Sequence, residues 1–186
     1  MNKEGPMPTT ALIVVDIQND YFPGGKWPLA GADAAAENAA RVIQAARDAG
    51  DLVVFIRHES GADAPFFTPG SDGAKLHPKV LNLESEPVVL KHFPNSFRET
   101  GLQALLEDKG IKHLVIIGSM SHMCIDATTR AAADMGYTVK VIHDACASRD
   151  LEFEGTVVPA AQVHAAFMSA LGFAYAEVLS TDTYLV

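Results

Sequence analysis

The chain has 186 residues, enough for one domain with a sizeable core, and 48% of them are apolar against 20% charged, an ordinary globular balance. Its formal charge of −9, with no block of Lys or Arg, argues against nonspecific nucleic-acid binding. No apolar run reaches the roughly 18 residues of a membrane span, and MNKEGPMPTT carries no hydrophobic leader, so neither a membrane partner nor secretion is expected.

ALIVVD, residues 11–16, is a continuous apolar run ending in an acid and predicts a buried strand. The alanine-rich segment 33–49 sets Val42 and Ile43 on one face and stops at Gly50, which reads as a helix. LVVFI at 52–56 predicts a second strand, followed by a loop rich in Gly, Pro and Asp to about residue 87. That loop is longer than an ordinary connection, so it is expected to be functional or to contact another protomer. Residues 88–90 predict a short strand before Lys91, and 99–108, with Leu102, Leu105 and Leu106, a helix closed by Gly110. A strand at 114–117, a helix at 122–135, a strand at 138–142, a helix at 159–171 and a last strand at 174–179 complete the order. Continuous apolar strands alternating with helices imply a single α/β domain over 9–186, with a mostly parallel sheet covered on both faces.

In such a sheet ligands sit outside the carboxyl ends of the strands. Asp16, Arg57, Lys91, the Gly118–Cys124 loop and Asp144 lie at or just beyond those ends and are expected on one rim. No GxGxxG or GxxxxGKS run follows a strand, so neither a dinucleotide nor a P-loop site is expected.

Cys124 falls in the first turn of a helix that follows a strand. Unpaired N–H groups and the helix dipole there favour a thiolate, which makes it the candidate nucleophile. The chain's other cysteine, Cys146, reads as packing; the two form no CxxC pair, which suits a reducing, cytoplasmic compartment. Lys91 either polarises a thiolate and a leaving group or simply reaches solvent from its strand end. Asp16, at the end of the most apolar strand, either moves a proton between the thiol and a leaving amine or caps the loop 17–20. No GxSxG is present. The seven histidines make neither HExxH nor a zinc-type cluster, and His58 and His77 could meet only through the long loop, so no metal is expected. His122 is expected at a pocket mouth, with His113 and His164 structural. Phe22 and Trp27 in YFPGGKWPL, like Phe66 and Phe67, either wall a pocket or pack on their own domain or a neighbour.

Taken jointly and in order, ALIVVDIQNDYFPGG at 11–25, KHFPNSF at 91–97 and GSMSHMCIDATTRAAADMGY at 118–137 resemble the isochorismatase-like cysteine hydrolase family, over nearly the full chain. The resemblance implies a three-layer Rossmann-like fold with a mostly parallel six-stranded sheet and a triad of Asp16, Lys91 and Cys124. It also implies a non-proline cis peptide between Ser119 and Met120, with the N–H groups of Met120 and Cys124 as oxyanion donors. Dimers, tetramers or larger homo-oligomers are implied too. The nicotinamidase metal run D-x-H…H has no counterpart in RHESGADAPFF at 57–67, so no cofactor or metal is implied. FFTPGSDGAKLHPKV at 66–80 resembles the loop of metal-free amidohydrolases acting on carbamoylsarcosine, ureidoacrylate or biuret. Ser121 stands where threonine is commoner in the family and keeps the hydroxyl.

The activity implied is hydrolysis of a C–N bond in a small amide or ureido compound through a thioester, with Phe22, Trp27, His122 and Phe66 lining the pocket. Three other readings stand beside it: a vinyl-ether hydrolase of the isochorismatase type, a non-catalytic small-molecule binder, and a redox sensor using Cys124 and Cys146.

Overall fold

A computed structural model describes residues 9–186; residues 1–8, which hold most of the stretch read above as lacking a leader, lie outside the described residues. The eight strands are β1 (Thr10–Val15), β2 (Leu52–His58), β3 (Val88–Lys91), β4 (His113–Ser119), β5 (Thr138–Ala147), β6 (Leu151–Phe153), β7 (Thr156–Val158) and β8 (Glu177–Leu179). The helices are α1 (Ala32–Ala49), α2 (Leu102–Asp108), α3 (Asp126–Asp134), α4 (Ala160–Ala174) and α5 (Thr181–Tyr184). Six strands form one sheet in the order β3-β2-β1-β4-β5-β8, and every pairing in it is parallel.

Alternation along β1 builds the layers. Leu12 and Val14 face one side, with Val53 and Phe55 of β2, Val115 and Ile117 of β4, and the alanine-rich face of α1. Ala11, Ile13 and Val15 face the other, with Leu102 and Leu106 of α2, Ala132 of α3, and Met168 and Leu171 of α4. Because both faces are covered, the central strands tolerate no polar position, hence their unbroken apolar runs. Burying one such side chain contributes about 1.5–3 kcal/mol. The fold is the expected three-layer α/β architecture.

Several element ends differ from expectation, each for a local reason. The helix expected from 99 begins at Leu102, since Glu99 takes φ 55 and the Thr100 hydroxyl accepts the Leu102 N–H. The helix expected over 122–135 opens as a five-residue π turn, Ser121–Ile125, before α3. The strand expected over 138–142 runs on to Ala147 after a shift of register opposite Ile116 and Gly118. The last strand is confined to 177–179 because α4 continues to Ala174. An unexpected hairpin, β6–β7, closes through Glu154 and Gly155, both at positive φ (50 and 79), as a two-residue primed turn requires.

Candidate active site

Strand order reverses between β1 and β4, and the crevice at such a switch point is where an open parallel sheet binds its ligand. Here β1 and β4 come unusually close. A Cβ on Gly118 would lie 1.9 Å from the Val15 carbonyl oxygen, and Gly118 has φ 121, so only glycine fits. The chain then passes the cis peptide Ser119–Met120 and enters the π turn carrying Cys124. The Met120 carbonyl accepts the N–H groups of Met123 and Ile125, not that of Cys124 between them. The Met120 N–H has no backbone acceptor among the described residues.

Four neighbouring strands deliver one cluster. Asp16 leaves β1 in a left-handed conformation, φ 51, which turns its carboxylate beneath the crevice at a cost aspartate bears better than most residues. Lys91 ends β3, His58 pairs with it in register at the end of β2, and Cys124 follows β4. The Lys91 ammonium, wholly buried, lies 2.7 Å from Asp16 Oδ2, 2.8 Å from His58 Nδ1 and 3.3 Å from Cys124 Sγ. It donates to His58 and Cys124 and is ion-paired with Asp16. The contact with Asp16 is an ion pair off hydrogen-bond alignment, so both Asp16 oxygens keep free acceptor capacity.

The electrostatics correct one expectation. Burial raises the Cys124 thiol far above its ordinary value, the Asp16 charge raises it further, and Lys91 opposes both without prevailing. The resting group is therefore a thiol, not the thiolate expected from the helix terminus. Burial also works against the charge on Lys91, yet the Asp16 carboxylate beside it more than offsets this and its pKa stands above the usual lysine value. His58 is pushed down to about 4 by burial and by Lys91, so a neutral ring accepts the Lys91 proton at Nδ1.

The sequence suggested no catalytic part for His58; its place follows only from the β2–β3 register. Asp16, His58 and Cys124 offer ligand atoms within 4.8 Å of one another, but the cation at that cluster is the chain's own lysine.

Short polar staples hold the frame. Gln18 donates from Nε2 to the carbonyls of His58 and Ala74 (both 2.8 Å), and its Oε1 accepts the His58 N–H at 2.8 Å. Asp20 accepts the N–H groups of Phe67 (2.8 Å) and Lys26 (3.1 Å), so one carboxylate ties both aromatic loops. Ser96, past Lys91, is bonded to Thr128 of α3 at 2.8 Å, and Ser121 donates to the Ala147 carbonyl while pairing with His164 Nδ1 at 2.7 Å.

A cleft of about 540 Å³ is lined by Trp27, Met120, Arg149 and the β6–β7 hairpin, among others, and by His122 and Met123, which directly precede Cys124 in the π turn. Trp27 stacks on Phe66 with centroids 4.7 Å apart, and His122 Nδ1 meets the Ser148 hydroxyl at 2.8 Å. Phe22 is not brought to this cleft; it is buried and stacks on His77, 3.6 Å between centroids. Two residues expected on the rim turn elsewhere: Arg57 pairs with Glu59 at 3.0 Å, and Asp144 accepts two 2.7 Å hydrogen bonds from Thr181. Cys146 is buried in β5 opposite Gly118, with its thiol pushed up to about 12 by burial.

The sequence model of one protein family, described as the isochorismatase domain, matches residues 10–182. The isochorismatase family protein YddQ of Bacillus subtilis (strain 168) is 48% identical over 178 residues, covering 95% of this chain and 99% of its own length. The ureidoacrylate amidohydrolase RutB of Variovorax paradoxus (strain S110) is 30% identical over 172 residues, covering 73% of this chain and 68% of its own length. A crystal structure of an isochorismatase-type hydrolase from Oleispira antarctica superposes with a TM-score of 0.92 at 58% identity, over 100% of this chain and 98% of that one. With a buried cysteine, an aspartate and a histidine gathered at the switch point, the chain belongs to the isochorismatase family and is a hydrolase of that family.

Proposed function

We propose that the protein hydrolyses a C–N bond of a small amide or ureido compound through a thioester on Cys124, with Asp16 and Lys91 as its partners. One observation carries this reading: a thiol, an ammonium and a carboxylate with open lone pairs meet in a buried cluster next to the unpartnered Met120 N–H. RutB, by its name, is an amidohydrolase of ureidoacrylate, which supports the substrate class.

The substrate carbonyl carbon approaches Sγ with its oxygen toward the Met120 and Cys124 N–H groups. Asp16 accepts the thiol proton as sulfur bonds to carbon, so the thiolate forms only as it is consumed. That timing suits a thiol raised by burial. Lys91 remains charged throughout and holds Asp16 and the sulfur together. The carbonyl oxygen takes up negative charge, and each N–H donor aimed at it contributes about 3 kcal/mol to the transition state. When the C–N bond breaks, Asp16 returns its proton to the departing nitrogen, releasing ammonia or an amine. Asp16 then takes a proton from water as the water oxygen attacks the thioester. The acid product leaves and the proton passes back to sulfur.

Release of ammonia from a panel of small primary amides and ureido compounds, with Cys124→Ala as control, tests the reading. Ammonia from one member that is lost in the variant supports it; undiminished release by a folded Cys124→Ala protein refutes the nucleophile.

The protein is further proposed to be a cytoplasmic homo-oligomer, a dimer or tetramer. Two free buried thiols suit a reducing compartment, and exposed Phe153 (74%) and Phe173 (92%) suit contacts between copies. A monomeric mass by light scattering would refute the assembly.

A further inference from the structure

The six arginines of the chain divide five to one. Arg41, Arg47, Arg57, Arg98 and Arg130 each have a carboxylate within 4.0 Å. Arg149 has none among the described residues. Its guanidinium instead lies over the Trp27 ring, 4.0 Å from the centroid, inside the cleft that Met120 also lines. Asp150 and Glu152 line the same cleft, yet neither forms an ion pair with it, and Asp150 Oδ1 is engaged by the Ala160 N–H at 2.8 Å.

Among the described residues, Arg149 is the one cation that lines the cleft. The Lys91 ammonium is shared among Asp16, His58 and Cys124. His122 is kept neutral by burial and by the charge of Arg149. The Trp27 Nε1–H, buried, also lacks an acceptor among the described residues. A guanidinium set against an aromatic ring has its plane fixed while its N–H edge stays free, and that edge matches a carboxylate bidentately.

We infer that Arg149, seated on Trp27, is an anion subsite of this cleft, and that the amide or ureido substrate carries a carboxylate. This rests on the hydrolase reading above for the words amide and ureido; the subsite itself rests on the unpaired charge. One cleft then offers both ends of such a molecule their partners, the Met120 N–H for the reacting carbonyl and Arg149 for the acid.

Two matched pairs test it: succinamate against 4-methylpentanamide, and N-carbamoylglycine against isobutylurea. In each, a branched alkyl end replaces the carboxylate at similar size. Binding is measured calorimetrically on Cys124→Ala, alone and combined with Arg149→Met or Arg149→Lys, and ammonia release is measured on the otherwise unaltered enzyme. At least one acid should bind about 10- to 100-fold more tightly than its neutral mate, the range for charge-assisted bonds. Arg149→Met should erase that preference, weakening the acid far more than its neutral mate, and Arg149→Lys should restore part of it. Equal binding of acid and neutral mate, failure of both acids to bind, or equal losses for both in Arg149→Met would overturn the subsite. Arg149-dependent binding of an acid with no ammonia released would support the subsite and count against the hydrolase reading. Turnover of the neutral amides as fast as the acids would do the reverse.

Discussion

Replacing Lys91 by methionine keeps the length of the side chain and removes the cation at the centre of the cluster. At the 2.7 Å separation from Asp16, and with an effective dielectric constant of about 20, the lost attraction is about 6 kcal/mol. Releasing the ammonium from its desolvated site returns part of that, and removing one side of a buried pair costs about 3–5 kcal/mol in practice. The Asp16 carboxylate, wholly buried, would be left with no counter-ion. Asp16→Asn combined with Lys91→Met removes both charges and should be more stable than Lys91→Met alone by about 2 kcal/mol, since a neutral pair of similar volume avoids the stranded charge. Urea titrations of the four proteins supply the cycle, with equal slopes required for a comparison of midpoints. Neither variant should turn over substrate. An unchanged midpoint for Lys91→Met, or a double variant no more stable than Lys91→Met, would refute the account of Lys91 as the buried counter-ion.

Asp16→Asn alone separates thiol ionisation from catalysis. The carboxylate is among the influences raising the Cys124 thiol, so its removal should speed iodoacetamide alkylation near neutral pH while ammonia release falls to background; slower alkylation would contradict this. His58 titrates at about 4 when folded against an ordinary 6.5, so the unfolded chain binds more protons between those values. Stability is therefore complete above about pH 6.5 and declines as pH falls toward 4, and denaturant midpoints for His58→Gln should show a shallower decline over that window. Gly118→Ala places a methyl carbon 1.9 Å from the Val15 oxygen at φ 121 and should lower stability by several kcal/mol in thermal unfolding or prevent folding; a melting point within 2 °C or so of the parent would show that β1 and β4 can separate there.

The parts of the fold legible in the sequence are those whose burial is two-sided. Residues 11–15, 52–56 and 114–117 have no polar position because each is covered by a layer on either side. The end of β5 was not legible. HDACA carries polar residues that resemble a loop, yet the strand continues after shifting register against β4. The β6–β7 hairpin is too short to show a period and turns on a single Glu-Gly pair. Asp16, Lys91 and Cys124 could be singled out because each follows an apolar run. His58 could not, since it meets Lys91 only through strand register, and alternation along β2 sends the adjacent Arg57 away to Glu59. Phe22 and Trp27 share one loop with the same aromatic signal, and nothing local tells that the first packs on His77 and the second faces the cleft.

The parallel sheet with its order β3-β2-β1-β4-β5-β8 divides labour along its width. The strands from β3 to β4 carry the four residues of the ionic cluster at or past their ends, with His58 and Lys91 paired in the ladder and the Asp16 N–H bonded to the Ile56 carbonyl. Arg149, Asp150 and the hairpin come after β5, on a segment that contributes nothing to that cluster and much to the wall of the cleft. Drift in residues 149–158 therefore alters the shape and charge presented to an incoming molecule at little risk to the machinery behind it. A lineage inheriting this sheet can exchange its clientele by rewriting one short stretch of chain while the reaction chemistry stays in place.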